Sequence, residues 1–285
     1  MEIGAEDSGG KLEPFSLDQD FSTTRILFRC APWMPSSLGR VQYWGGLRRR
    51  GYGKRASPGK PLLTVASVVF NSASELSDTL QSVLTIPYDN VELIVIDGGS
   101  QDRTLDLLHR HDSQIDCWIS TPDAGIYDAM NKAWRLASLE GSVLFLGGGD
   151  RLLTLPERFD NTSIYFGDVW IGNRLFRSSL KFGLRFANHL HHQALMIPKR
   201  LHPEPPFDLA FPVYADFDFN QHLIKAGHRI LRAERFQSYA LPGGVSGHLD
   251  IAQMAAVTRK NFGLIHASVT SAYFHLKRML YRVAR

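Results

Sequence analysis

Four polar side chains follow apolar runs between residues 62 and 150 of this 285-residue chain: Asn71 after Leu62–Phe70, Asp97 after Val91–Ile96, Asp123 after Cys117–Ser120 and Asp150 after Val143–Leu146. Asp150 is set off by Gly147, Gly148 and Gly149, so the acid sits in a gap that small residues leave open. An apolar strand that stops at glycines and then offers a carboxylate suits the floor of a site for a charged ligand. Further on, Asp216 and Asp218 stand two residues apart at the start of a helical pattern, so they point in different directions. The run Asn188-His189-Leu190-His191-His192-Gln193 invites a zinc reading, since His189 and His191 could share a strand face. No cysteine or fourth ligand completes a tetrahedral set there.

The elements that must hold these groups alternate in type. Leu62–Phe70 is continuous, apolar and β-rich, the pattern of a strand buried on both faces. Ser72-Ala73-Ser74-Glu75 reads as a capping box for a helix whose inner face is Leu76, Leu80, Val83 and Leu84. Val91–Ile96 is a second strand, and Ser100 can cap the helix after it, in which Leu105 and Leu108 face inward. Cys117–Ser120 reads as a third strand, Gly125–Leu139 as a helix and Val143–Leu146 as a fourth strand. Strands and helices at such short intervals predict an α/β fold, with a mostly parallel central sheet flanked by helices. Ligands of open α/β sheets bind beyond the carboxyl ends of the strands, so the four polar residues are expected on one rim. After Asp150 the pattern predicts strands at Ser163–Ile171, Gln193–Ile197 and Arg229–Leu241, and a helix at Tyr214–Ala226. The Gly243-Gly244 loop is either a mobile lid or an ordinary turn. From Ile251 the tail is helical, with Phe262, Ile265, Val269, Tyr273, Leu276, Leu280 and Val283 recurring every three or four residues.

Charge is segregated along the chain. Residues 1–20 carry six acids and one base, residues 21–74 nine bases and no acid, and residues 251–285 six bases and no acid. The expected organisation is a basic, partly disordered extension over 1–60, a catalytic domain over 61–250 and a basic amphipathic helix over 251–285. Basic flanks suit anionic lipid or nucleic acid. The lack of aromatic and basic residues interleaved in a folded module argues against nucleic acid. Cys30 and Cys117 make no disulfide framework and read as reduced cytosolic thiols. No signal peptide and no run of about 18 apolar residues is evident, so any membrane contact is expected to be peripheral. No G-x-G-x-x-G follows the first strand, which argues against a dinucleotide-binding dehydrogenase.

Several pieces, in one order, carry a resemblance: VVFN at 68–71, VIDGGSQDRT at 95–104, PDAGIYDAMNKA at 122–133, LFLGGGD at 144–150, HQALMIP at 192–198 and ADFDF at 215–219. Over about residues 62–248 the chain resembles the inverting family 2 glycosyltransferases of the GT-A fold, in particular those that build bacterial exopolysaccharides such as colanic acid. The resemblance implies transfer of a sugar from a nucleoside-diphosphate donor to a glycan acceptor, expected to be lipid-linked and reached from the cytoplasmic face of the plasma membrane. It makes Asp216 the catalytic base and Asp97 the partner of the nucleobase. Phe70, Asn71, Gly98, Asp123, Asn131, Lys132 and Gly149 then lie around the donor. Lys132 could offset diphosphate charge or be an exposed helical lysine. His192 and Gln193 line the acceptor or diphosphate side, and Asp150 is the ligand for Mg2+ or Mn2+. The chain departs from the common two-acid metal motif, because Gly149 stands where an aspartate often does. His222 stands where many relatives carry arginine. The missing acid also permits a non-catalytic nucleotide- or glycan-binding module on the same fold.

Overall fold

Each central strand is apolar on both faces, and the computed structural model shows why: it places helices on both sides of one sheet. It describes residues 28–29, 38, 41–180, 182–244 and 249–283. The acidic first twenty residues, most of Phe21–Phe28, Cys30, Val245–Gly247 and Arg285 lie outside the described residues.

A two-stranded ribbon pairs β1 (Phe28–Arg29) with β3 (Tyr52–Gly53), and β2 (Tyr43–Gly45) lies between them in sequence. The regular alternation follows as β4 (Leu63–Val69), α1 (Leu76–Leu84), β5 (Val91–Asp97), α2 (Thr104–Arg110), β6 (Cys117–Ser120), α3 (Ile126–Leu136) and β7 (Ser142–Gly147). The second half adds β8 (Arg151–Thr154), β9 (Ile164–Ile171), β10 (Arg174–Phe176), β11 (Leu195–Pro198), α4 (Ala215–Lys225) and β12 (Ile230–Ala240). Two helices, α5 (Ile251–Phe262) and α6 (Leu264–Val283), complete the described chain.

The main sheet has the order β2-β6-β5-β4-β7-β11-β9-β12-β8, with β10 beside β9. β6, β5, β4 and β7 run parallel, β11 is antiparallel to both its neighbours, and β12 is parallel to β9. The sheet is therefore mostly parallel, as the alternation predicts. Successive residues of one strand serve opposite cores. Val65, Leu93 and Leu144 pack with Leu76 and Leu80 of α1, while Ala66, Ile94 and Phe145 pack with Met130 and Trp134 of α3. The chain winds outward from β4 to β6 and then crosses back to β7, so the strand order reverses between β4 and β7. The carboxyl ends at that reversal carry Asn71 and the Gly147–Asp150 turn, where an α/β sheet leaves its ligand crevice.

Several local expectations are corrected. Ser72 does not cap α1: Glu75 occupies that position without a side-chain cap, and the Ser72 hydroxyl donates to Phe70 O at 3.1 Å. Ser100 does not cap α2, because its N–H and hydroxyl both go to Asp97, and Asp102 accepts from Thr104 N at 2.9 Å instead. The strand expected from Gln193 starts at Leu195, since His192–Ala194 form one tight helical turn. The tail is two helices, broken at Gly263, whose positive φ of 85° favours glycine.

The expected division at residue 60 falls inside packed structure. β2 adds an antiparallel edge to β6, and Leu47 is fully buried. The Arg48 guanidinium, also buried, pairs with Glu92 of β5 and donates to Leu136 O at 2.8 Å. Thr64 donates to the other Glu92 oxygen at 2.7 Å, so both carboxylate oxygens of the buried ion pair are hydrogen-bonded.

At the other end, Lys260 and Asn261 of α5 each reach the buried Asp218 of α4 at 2.7 Å. Asp218 thus points away from Asp216 and clamps the tail to the domain.

Candidate active site

The first part of the site forms where β4, β5 and β6 end. Asp97 is fully buried, and its carboxylate accepts from Ser100 N at 3.1 Å, from the Ser100 hydroxyl and from the Ser120 hydroxyl at 2.6 Å. These bonds aim its oxygens inward and fix the turn that carries Gly98. Gly98 must be small: a Cβ there would lie 2.5 Å from Asp123 Oδ2 and 3.3 Å from the Phe70 ring. Phe70, Gly98 and Asp123 therefore share one wall, and Phe70 is 60% exposed, leaving an aromatic face open. Asn71 holds the edge of that wall with a left-handed φ of 48°, which asparagine tolerates. Its N–H donates to Ser100 Oγ at 2.7 Å and its Oδ1 accepts from Gln101 N at 2.9 Å. Burial pushes the Asp123 carboxyl above its ordinary value, against the N–H of Gly125 and the charge of Lys132.

The second part runs from β7 to α4 through the turn at His192–Ala194. Asp150 is 5% exposed. Its Oδ2 accepts from Gly147 N at 2.7 Å and Gln193 Nε2 at 3.1 Å, and its Oδ1 accepts from Leu241 N at 2.9 Å. Next along the chain, His192 Nδ1 lies 3.7 Å from Asp216 Oδ2. Asp216 accepts from Tyr127 Oη at 3.0 Å and from Asn188 Nδ2 at 2.9 Å. Asp150, Gln193, His192 and Asp216 thus make a row of polar side chains, hydrogen-bonded between Gln193 and Asp150 and closed at the other end by proximity alone, since His192 Nδ1 is buried without a hydrogen-bond partner. Tyr127, in the first turn of α3, ties it to the segment that begins at Asp123.

Burial acts to raise the Asp216 carboxyl, but His192 and the Tyr127 hydroxyl outweigh it and hold the group below the usual aspartate value. The same contact, with burial, pushes Tyr127 well above its own ordinary value, so it stays a protonated donor. A group with a depressed value is ionised throughout the neutral range and can accept a proton there. The acid side of kcat/KM is therefore expected to be free of any Asp216 limb between pH 5 and 8. An acid limb near pH 6 that moves in Tyr127→Phe would contradict this.

Two expected donor contacts are not brought to the site. Asn131 spends its amide on the backbone of Phe207, donating at 2.8 Å and accepting at 3.0 Å. Lys132 is not an exposed lysine: it is buried, donates to Pro122 O at 2.8 Å and pairs with Asp128 at 3.1 Å. It backs the Pro122-Asp123 turn and, with Thr121, Pro122 and Tyr43, lines an open cleft of about 890 Å³ beside it. Gly149 donates its N–H to Thr79 at 2.9 Å. Tyr127, Asn188 and the Leu241 N–H also belong to the site, although nothing in the sequence pattern marks them. Tyr127 and Asn188 stood inside motifs already noted, without a local signal for their contacts.

Among the described residues no group of three His, Cys, Asp or Glu is placed to hold a metal. His191 packs edge-on against Phe176 at 4.4 Å, and burial pushes its imidazole below the ordinary value. Of the roughly four acceptor positions on Asp150, three are occupied by N–H groups. The remaining position, with the buried and unpartnered Oε1 of Gln193 beside it, is an oxygen-only donor set. It fits a hard cation that brings most of its shell as phosphate oxygens and water. It does not fit a cation caged by protein alone.

Residues 64–147, which span β4 through β7 and so the first part of the site, match the sequence profile described as Glycosyl transferase family 2. The chain carries a family 2 glycosyltransferase domain. A PGL/p-HBAD biosynthesis glycosyltransferase of Mycobacterium tuberculosis is 29% identical over 56% of this chain and 68% of its own length. An uncharacterized glycosyltransferase of the same species is 39% identical over 32% of this chain and 35% of its own. S. aureus TarS 1-349 in complex with UDP-GlcNAc superposes with a TM-score of 0.53 at 14% identity, covering 75% of this chain and 71% of that one. A longer TarS structure is covered over 42% of its length. The mannosyltransferase PcManGT of Pyrobaculum calidifontis, in complex with GDP-Man and Mn2+, gives 0.51 at 15% identity over 79% and 81%. At such identities the likeness concerns the fold, and that fold is GT-A.

Proposed function

We propose that this glycosyltransferase moves one sugar from a nucleoside-diphosphate donor to a hydroxyl of a lipid-linked glycan acceptor, with inversion, in the synthesis of a surface polysaccharide or glycolipid. The observation that carries the proposal is the polar line from Asp150 through Gln193 and His192 to the ionised Asp216. One end suits a diphosphate and the other suits an acceptor hydroxyl. The relatives support the substrate class, since two fold neighbours are complexes with UDP-GlcNAc and with GDP-Man.

Phe70 offers its open face to the nucleobase, with Asn71, Gly98 and Asp123 around it, while buried Asp97 shapes that wall through its turn. Asp150 and Gln193 would hold a divalent cation together with the donor diphosphate. When bound, the cation neutralises charge that develops on the leaving group. Asp216 accepts the proton of the acceptor hydroxyl as its oxygen bonds to the anomeric carbon. The bond from that carbon to the diphosphate breaks on the opposite face, and the diphosphate leaves with the electron pair. Tyr127 and Asn188 hold the Asp216 carboxylate in one orientation throughout.

A set of UDP- and GDP-sugars with Mn2+ identifies the donor by thermal shift, because a ligand bound to the folded state alone raises its stability. At a hundredfold excess over Kd the gain is about 2.7 kcal/mol, a rise of roughly 5–10 °C for a domain of this size. One nucleotide-sugar is expected to give this shift, and to release its nucleoside diphosphate when acceptor is added. A shift without release under any acceptor would favour the binding-module reading. No shift with any donor would overturn the proposal.

A further inference from the structure

We propose that α6 docks the protein on an anionic lipid surface, lying in the plane of the membrane. This deepens the reading of a lipid-linked acceptor and rests on it for why a membrane is needed. Ala267, Thr270 and Phe274 are buried toward the domain, and Thr270 donates to Thr258 of α5 at 3.3 Å. On the other face Ile265, Val269, Tyr273, Leu276, Met279 and Leu280 follow at helical spacing and are 47–80% exposed. The outer face of a helix on a water-soluble domain is ordinarily polar. This one is an apolar stripe that no other described residue covers.

Charge selects the occupant. Residues 251–285 contain six bases and no acid; Lys277 is exposed at one edge of the stripe, and Arg278 is exposed on the opposite side of the same turn. A second copy docking through the same stripe would set two basic segments, neither with an acid, against each other. Anionic headgroups neutralise them, and the acyl boundary takes the apolar side chains, the arrangement of an interfacial helix. Among the described residues no helix is long and apolar enough to cross a membrane, so the fitting mode is to lie in the surface. The docking element is also tied to the chemistry. α5 joins α6 to α4 through Lys260 and Asn261 on Asp218, and α4 carries Asp216 in its first turn. Seating α6 on a membrane therefore sets the height of the catalytic carboxylate above the lipid.

The test is co-sedimentation of the full chain with vesicles of phosphatidylglycerol and phosphatidylcholine, or of phosphatidylcholine alone. Binding is expected to the anionic vesicles, about tenfold or more weaker to the neutral ones, and weakened by salt. Joint replacement Ile265→Asp, Leu276→Asp and Leu280→Asp, all at exposed positions, is expected to abolish it while the thermal shift with donor persists. Lys277→Gln with Arg278→Gln is expected to lose most of the preference for anionic vesicles and keep the helix intact. The proposal is overturned if the wild type ignores anionic vesicles, or if the aspartate variant binds them equally well. It is also overturned if the wild type is a dimer that the aspartate variant converts to monomer. Because donor binding is read separately, failure here leaves the transferase reading standing.

Discussion

Asp216→Asn is expected to lower the transfer rate at saturating donor and acceptor by about two to four orders of magnitude, the usual worth of a positioned general base. The amide keeps the size of the carboxylate and an oxygen that can accept from Phe217 N, as Asp216 does at 2.8 Å. Its NH2 group meets the Asn188 amide donor, so one local bond is lost, at about 1 kcal/mol. The wall of Phe70, Gly98 and Asp123 is untouched. The expected signature is a collapsed kcat with an unchanged donor-dependent thermal shift and a melting temperature within a few degrees of wild type. Full turnover by the variant would remove Asp216 from the chemistry.

Arg48→Met is expected to destabilise the protein by about 3–5 kcal/mol, because it leaves the Glu92 carboxylate buried in the sheet without its cation. Thr64 would remain as a hydrogen-bond donor to Glu92, which does not replace a charge. The backbone acceptor at Leu136, now served by Arg48 Nη1, would also be orphaned. Thermal denaturation should show a fall on the order of 10 °C. A melting temperature unchanged within a degree would mean that residues 41–60 hang on the domain rather than form part of it.

That segment shows where the sequence was hard to read. β4, β5 and β7 announce themselves because they are apolar on both faces, and the helices between them keep an apolar stripe. The parallel alternation, and with it the expectation of Asn71, Asp97, Asp123 and Asp150 beyond the carboxyl ends of their strands, follows from those patterns; the order of the strands does not. β2 is a three-residue edge strand, and the turn after it is rich in bases, so neither periodicity nor composition marks it as structure. Its hold on the sheet comes from backbone pairing with β6 and from side chains such as Leu47 and Arg48, whose partners lie far along the chain.

The site divides in the same way. Asp216 and Asp150 stood out as acids at element ends, but what orients them did not. Tyr127 reaches Asp216 across 89 residues and Gln193 reaches Asp150 across 43, contacts that no local spacing encodes. Asn131 and Lys132 lie on the right helix, yet α3 turns them toward Phe207 and Pro122 because Met130, Ala133 and Trp134 take the face against the sheet. Ser72 and Ser100 have the residue types of helix caps, but Asp102 and Asp97 claim that part of the loop first.

A single displacement assisted by Asp216 leaves its mark on the anomeric configuration of the product. With an α-linked UDP- or GDP-sugar as donor and the acceptor that supports turnover, the new glycosidic bond is read by proton NMR coupling at the anomeric carbon. Attack opposite the leaving diphosphate requires a β-linked product. An α-linked product, formed with retention, would contradict the role given to Asp216.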